Sequence, residues 1–171
     1  MSGEKMGALN MEVTGTAKEE RAGKYLTFKL AGEEYGLEIL KVREIIGMMD
    51  ITAVPQTPDF VKGVIHLRGK VIPVVDLRLK FGMEEKEVTE ETCTIVVEVN
   101  ELQMGIIVDT VQEVLDVREE QIEDPPKFGA QVNTDFILGM GKVGEDVKIL
   151  LDIEKVLNCE DLVMISGMQE E

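Results

Sequence analysis

From Tyr25 the chain alternates between apolar and polar residues: Leu26, Phe28 and Leu30 face one way, Thr27 and Lys29 the other. A period of two marks a strand with one buried face. Ala31-Gly32-Glu33 follows as a turn, and Tyr35-Gly36-Leu37-Glu38-Ile39 resumes the pattern, so the stretch predicts a β-hairpin. Two further strands, Val64–Arg68 and Val71–Asp76, are joined at Gly69-Lys70, where Gly69 can supply the positive φ of a tight turn. Leu77-Arg78-Leu79-Lys80-Phe81 then predicts a short helix, with Asp76 as N-cap and Gly82 as its stop. Residues 1–23 mix Gly, Thr, Lys and Glu without a period and read as a flexible lead-in.

The same events recur. A shift of 69 residues places Leu26, Phe28 and Leu30 on Ile95, Val97 and Val99, Gly36 on Gly105, Val42 on Val111, Glu44 on Glu113 and Ile45 on Val114. Farther along the shift becomes 76, so that Phe60 meets Phe136, Gly63 meets Gly139, Val71 meets Val147 and Asp76 meets Asp152. The short helix has its counterpart in Glu154-Lys155-Val156-Leu157, ending at Asn158. An insertion in the loop holding Pro125-Pro126, against Pro55 and Pro58 in the first half, accounts for the change of shift. Order and parity along the whole series, more than the identities, point to a duplication. Each half supplies about five short strands, and an antiparallel sheet of that size closes on itself to bury one face and remove its edges. The expectation is a mainly β protein of two small β-barrels with a pseudo-twofold relation. The halves are about 24–83 and 92–160, and Glu84-Glu85-Lys86-Glu87-Val88-Thr89-Glu90-Glu91 is a solvated connector.

Composition narrows the function. With 44% apolar and 30% charged residues the chain has enough apolar groups for a packed core. No apolar run approaches a membrane span: Val71-Ile72-Pro73-Val74-Val75 stops at Asp76. The first residues lack the apolar segment of an export signal, so the expected place is the cytoplasm. Eighteen basic against 34 acidic residues give a net charge of −16, which argues against nucleic acid and anionic lipid and leaves partners with basic or apolar docking features. Cys93 and Cys159 lie far apart without CxxC spacing, and with His66 as the only histidine they cannot make a four-ligand zinc site. Buried, reduced thiols are the expectation, with no metal and no cofactor.

Catalysis needs convergent groups of unlike character. His66 lies opposite Ile65 and Leu67 in its strand and reads as a solvent-facing or hydrogen-bonded residue. Capping accounts for Asp76 and Asp152. Gly139-Met140-Gly141 lacks the rest of a dinucleotide-binding motif. Features suited to protein contact remain. Ile39, Val42, Ile45, Ile46, Met48 and Met49 are more apolar groups than one strand face hides, and read as core or as partly exposed surface. Arg68 is an exposed hairpin cation or a bidentate anchor for a partner's carboxylate. Phe128, after Pro125-Pro126-Lys127, is a partner anchor or the plug of a barrel end.

Four segments carry a resemblance: Glu34-Tyr35-Gly36-Leu37-Glu38-Ile39-Leu40-Lys41-Val42-Arg43-Glu44-Ile45, Pro58-Asp59-Phe60-Val61-Lys62-Gly63-Val64-Ile65-His66-Leu67-Arg68-Gly69, Ile72-Pro73-Val74-Val75-Asp76-Leu77-Arg78 and Gly105-Ile106-Ile107-Val108-Asp109. In order and spacing they resemble the CheW family of bacterial chemotaxis coupling proteins over about residues 24–160, leaving 1–23 and a tail at 161–171 outside. The resemblance implies two intertwined five-stranded SH3-like β-barrel subdomains with short helices. It also implies a non-catalytic adaptor that couples transmembrane chemoreceptors, the methyl-accepting chemotaxis proteins, to the histidine kinase CheA in signalling arrays. The implied partners are the receptor's cytoplasmic hairpin tip and the kinase's regulatory domain, met in the cytoplasm at membrane-associated arrays without insertion into the membrane.

By position, the resemblance puts receptor binding on Val42, Glu44, Gly63, Arg68, Cys93, Gly105 and Val114, and kinase binding on Glu123, Lys127 and Phe128. Val42 and Val114 then supply apolar contact, Gly63 and Gly105 allow close backbone approach, and Arg68 pairs with receptor carboxylates. Cys93 stands where an aliphatic residue is expected. Glu123 and Lys127 reverse the family's order of a cation before the prolines and an acid after them, so a salt bridge there requires a compensating exchange in the kinase. Two other readings are the regulatory module of a larger signalling protein, against which the start at Met1 and the length weigh, and a β-barrel enzyme or small-molecule binder with a buried acidic pocket.

Overall fold

The structure, a computed structural model, describes residues 21–126 and 134–157, so Lys127, Phe128, Asn158 and Cys159 lie outside the described residues. Its strands are β1 (Gly23–Leu30), β2 (Glu33–Glu38), β3 (Val42–Gly47), β4 (Val61–Leu67), β5 (Lys70–Asp76), β6 (Cys93–Val99), β7 (Leu102–Val108), β8 (Thr110–Val117), β9 (Ile122–Glu123), β10 (Ile137–Val143) and β11 (Asp146–Leu151). They form two sheets, in the orders β8-β1-β2-β11-β10-β9 and β3-β6-β7-β5-β4. The mainly β expectation holds, and the intertwining takes a definite form. Hairpin β1–β2 of the first half lies in the sheet of the second half, and hairpin β6–β7 lies in the sheet of the first.

A shared core explains the exchange. Leu26, Phe28 and Leu30 on β1 and Ile95, Val97 and Val99 on β6 are at most 2% exposed and join Leu37, Met104, Ile106 and Val108 in one cluster. Each sheet also has a smaller core, Tyr25, Val117, Ile122 and Leu150 in one, Ile65, Ile72, Val74 and Ile107 in the other. β1 and β6 are therefore covered on both faces. Thr27, expected to face solvent, is buried, and its hydroxyl donates to the Glu113 carbonyl at 2.8 Å and accepts from the Glu113 amide at 3.1 Å. Those contacts satisfy backbone groups where β8 bulges against β1.

The duplication is visible in the pairing. The parallel junctions Val74↔Gly105 and Leu150↔Gly36 correspond under the shifts found in the sequence. A Cβ on Gly36 would lie 3.0 Å from Leu150 Cδ2 across its parallel junction, and one on Gly105 would lie 2.6 Å from Thr94 Cγ2 on the antiparallel neighbour β6, so each glycine leaves room for a side chain of an adjoining strand. The sheets hold six and five strands rather than five each, because the two-residue β9 pairs with β10, while its counterpart is the single bridge Thr52↔Val64. Among the described residues no ladder joins β8 to β9 or β3 to β4.

The helical turns Leu77–Lys80 and Ile153–Val156 start as expected. The Asp76 carboxylate accepts from the Arg78 amide at 2.9 Å, and the Asp152 carboxylate from the Glu154 amide at 3.0 Å. Burial raises the Asp76 pKa despite these bonds. The β4–β5 turn has positive φ at both Arg68 (53°) and Gly69 (83°), one residue earlier than the sequence suggests, because this geometry carries the right-handed twist of the flanking strands. The acidic connector is largely exposed yet pinned: Arg78 donates to the Glu84 carbonyl at 3.0 Å, and Lys62 pairs with Glu85.

Lys148 on β11 stands at the place that Ile72 takes in the other half, and it is only 4% exposed. It pairs with Glu34, while burial and then repulsion from Lys29 lower its pKa. A buried pair of this kind is a weak source of stability, because desolvation offsets the attraction. Lys148→Met is therefore expected to leave the protein as stable or up to about 2 kcal/mol more stable in urea unfolding, whereas Glu34→Ala strands the ammonium and costs about 2 kcal/mol. A clear loss of stability in Lys148→Met would show that the pair is favourable.

Candidate functional site

The five-stranded sheet ends on β3 and β4, and a side-chain contact spans the two sides. The Arg68 Nη1, at the β4–β5 turn, donates to Glu44 Oε1 at 2.6 Å and to Oε2 at 2.7 Å on β3. Alternation along β3 turns Arg43 and Ile45 outward, and the bulge between Val42 and Glu44 interrupts the ladder to β6 there. The pair borders a depression of about 280 Å³, lined by cationic Arg43, Arg68 and Lys70 and by apolar Leu67, Ile72 and Val96. On a chain of net charge −16 this is a local concentration of cations, and it includes one carboxylate, Glu44. Arg43 is itself bonded to Glu98 through Nε at 2.6 Å. The hydrogen bond from Arg68 holds the Glu44 carboxyl below the usual glutamate range. What the arrangement offers chemically is recognition, since Glu44 occupies Nη1 and the rest of an exposed guanidinium fork can meet a second acceptor.

The other sequence-predicted residues occupy different places. Val42 is half-buried against the shared core, and so is Cys93, whose thiol donates to the Glu91 carbonyl at 3.3 Å. Cys93 is thus a free thiol that is only partly covered. Gly63 has φ +141°, and a Cβ there would lie 2.1 Å from the Thr52 carbonyl oxygen, so the close approach at this glycine comes from the chain itself. The same holds for Gly105. Val114 lies on β8 in the six-stranded sheet and is exposed, as is Ile45, its counterpart under the shift of 69. Glu123 on β9 is exposed and pairs with Lys142 at 2.9 Å, while Lys127 and Phe128 lie outside the described residues. The apolar series resolves into half-buried Ile39, Val42, Ile46 and Met48 and exposed Ile45 and Met49.

One candidate was missed from the sequence. Leu40 is 94% exposed on the 3₁₀ turn Ile39–Lys41, where the neighbouring Lys41 pairs with Glu154 at 2.7 Å. Ile39-Leu40 breaks the alternation, so two adjacent apolar residues could not both face the core, and that was the available signal. Among the described residues no group of three His, Cys, Asp or Glu is placed to hold a metal, and no helix is long and apolar enough to cross a membrane.

Comparison with known proteins gives a consistent result. A family model described as CheW-like domain matches residues 24–161. The chemotaxis protein CheW of Klebsiella aerogenes is 40% identical over 156 residues, covering 91% of this chain and 94% of that one. The chemotaxis protein CheW of Bacillus subtilis is 37% identical over 120 residues, covering 70% and 76%. The crystal structure of the scaffolding protein TtCheW from Thermoanaerobacter tengcongensis superposes with a TM-score of 0.74 at 36% identity, covering 82% of this chain and 95% of that one.

Two outcomes follow from the geometry. The Glu44–Arg68 pair is intact at neutral pH and is lost as the pH falls through the lowered carboxyl value. In Arg68→Gln, carboxyl NMR should show Glu44 titrating higher than in the parent protein; an unchanged titration would mean the pair does not form in solution. Gly63→Ala forces the β4 backbone off Thr52 and is expected to cost about 2 kcal/mol or more in urea unfolding. A full loss of partner binding in that variant would then report on folding, not on contact.

Proposed function

The chain belongs to the CheW-like family and is a chemotaxis scaffold rather than an enzyme; from that premise we propose that it couples chemoreceptors to the histidine kinase CheA in the cytoplasm, at membrane-associated arrays. The observation that carries the proposal is the exposed Glu44–Arg68 pair beside the cationic, apolar-floored depression. An amphipathic helix lays its apolar face into an apolar groove, and a carboxylate beside that face would meet the guanidinium at the rim. In this reading Arg68 takes a receptor carboxylate on its free N–H groups while Glu44 keeps the fork oriented. Val42 and Val114 supply apolar contact, and Cys93 packs beneath as a small apolar group. Gly63 and Gly105 act by letting Thr52 and β6 close in, which shapes the surface that the receptor meets.

The kinase's regulatory domain is assigned to Glu123 on β9 and to Lys127 and Phe128 beyond it in the sequence. The reversed order of Glu123 and Lys127 fits a kinase with the complementary exchange. Exposed Leu40 offers a further apolar contact to a protein partner.

The test is an amide-shift NMR titration with a chemoreceptor cytoplasmic hairpin fragment. Shifts clustered on Val42, Glu44, Arg68 and Val114 are expected, and a flat spectrum removes the receptor assignment. Arg68→Glu sets a second carboxylate beside Glu44 and is expected to weaken receptor binding about tenfold or more with the fold intact. Phe128→Ser should keep receptor affinity and impair assembly with the kinase domain; an unfolded product would instead make Phe128 a core residue.

A further inference from the structure

Arg21, two residues before β1, ties the segment Glu119–Asp124 to strand β10 of the six-stranded sheet. Its Nη1 donates to Asp124 Oδ1 at 2.9 Å and to the Leu138 carbonyl on β10 at 3.0 Å, and its Nη2 donates to Glu119 Oε2 at 3.2 Å. Its own carbonyl accepts from the Tyr25 hydroxyl at 2.5 Å, and Tyr25 belongs to the small core with Val117 and Ile122. Room for this arrangement is left at Gly139, where a Cβ would lie 3.1 Å from Arg21 Nη1 and 2.9 Å from the Glu123 carbonyl oxygen. The guanidinium therefore bridges the side of the sheet where no ladder joins β8 to β9, taking Glu119 from the 3₁₀ turn Glu119–Gln121 before β9 and Asp124 directly after it.

The cluster is an imperfect source of stability. The arginine side chain is 12% exposed, yet its Nε and the Glu119 Oε1 are buried without a partner among the described residues. Buried ions with unsatisfied atoms are costly, and an apolar side chain of similar size would fill the space at least as favourably. What the ions add is a fixed placement, because three acceptors on two segments must converge on one planar fork. The segment they fix, Glu119–Asp124, carries Glu123 outward and leads directly into Pro125-Pro126.

We propose that Arg21 is a positioning residue for the kinase-facing edge: its clasp on Glu119, Asp124 and the Leu138 carbonyl sets the direction in which Glu123 and the following prolines are presented to the partner. The inference rests on the assignment of Glu123, Lys127 and Phe128 to the kinase's regulatory domain. Arg21 contacts the partner in no way; it acts through the segment it holds.

The experiment measures, by calorimetry on the full chain, affinity for a kinase regulatory domain and for a receptor hairpin fragment in the parent, Arg21→Met, Arg21→Lys and Glu119→Gln. Amide hydrogen exchange at residues 119–124 is followed in parallel. Arg21→Met is expected to lose about fivefold to tenfold in affinity for the kinase domain, with receptor affinity within about twofold and faster exchange at 119–124. Arg21→Lys should recover part of the loss, since one ammonium reaches fewer of the acceptors, and Glu119→Gln, which removes one charge without removing bulk, should fall between. Parent-like kinase affinity in Arg21→Met, or in Glu119→Gln if the former does not fold, overturns the proposal. So does an equal loss toward both partners, which would mark a general loss of structure. If the parent itself does not bind the kinase domain, the underlying assignment fails and the proposal with it.

Discussion

Leu26, Phe28 and Leu30 share one core with Ile95, Val97 and Val99, and the rest of the molecule is arranged around that fact. A hairpin such as β1–β2 has two faces to cover, and among the described residues its own half has only three other strands, β3, β4 and β5, to cover them with. Exchanging hairpins lets each half place its own against the partner half, so that β1 and β6 are buried on both faces and the two sheets cannot separate without exposing the largest apolar cluster. The parallel junctions follow from the exchange, and at one of them Gly36 leaves room for Leu150 of the other half.

The exchange also determines where the sheets are left open. Their outer strands carry no shared ladder among the described residues, and cations span those places instead: Arg68 to Glu44 on one sheet, Arg21 to Glu119 and Asp124 on the other. The two clasps differ in burial, and burial decides what each can do. Arg68 is exposed and strongly solvated, so its bond to Glu44 adds little to stability and leaves the guanidinium available to a partner. Arg21 is enclosed, so it cannot reach a partner, and its geometry is handed on through the backbone it holds.

The local chemistry was largely legible in the residues. Alternation from Tyr25, the glycine at the β4–β5 turn, the caps Asp76 and Asp152 and the two shifts relating the halves all correspond to features of the fold, because each depends on neighbours within a few positions or on a repeated pattern. The resemblance carried by segments such as Ile72-Pro73-Val74-Val75-Asp76-Leu77-Arg78 pointed to the family that the comparisons then show. Among site residues, the sequence singled out Arg68 and Glu44 separately, and Leu40 was passed over although Ile39-Leu40 breaks the strand period.

By itself, then, the sequence determined the elements, their duplication, the excess of acid over base and the family. Tertiary structure decided which sheet each hairpin enters, that Thr27 is buried on a face that alternation assigns to solvent, that Glu44 is the partner of Arg68, and that Thr52 is what Gly63 makes room for. The physical reason is the same in each case. A period of two records that a strand has two unlike faces but not what covers either one, and a contact between residues 24 or 103 positions apart exists only once the chain has closed around its shared core.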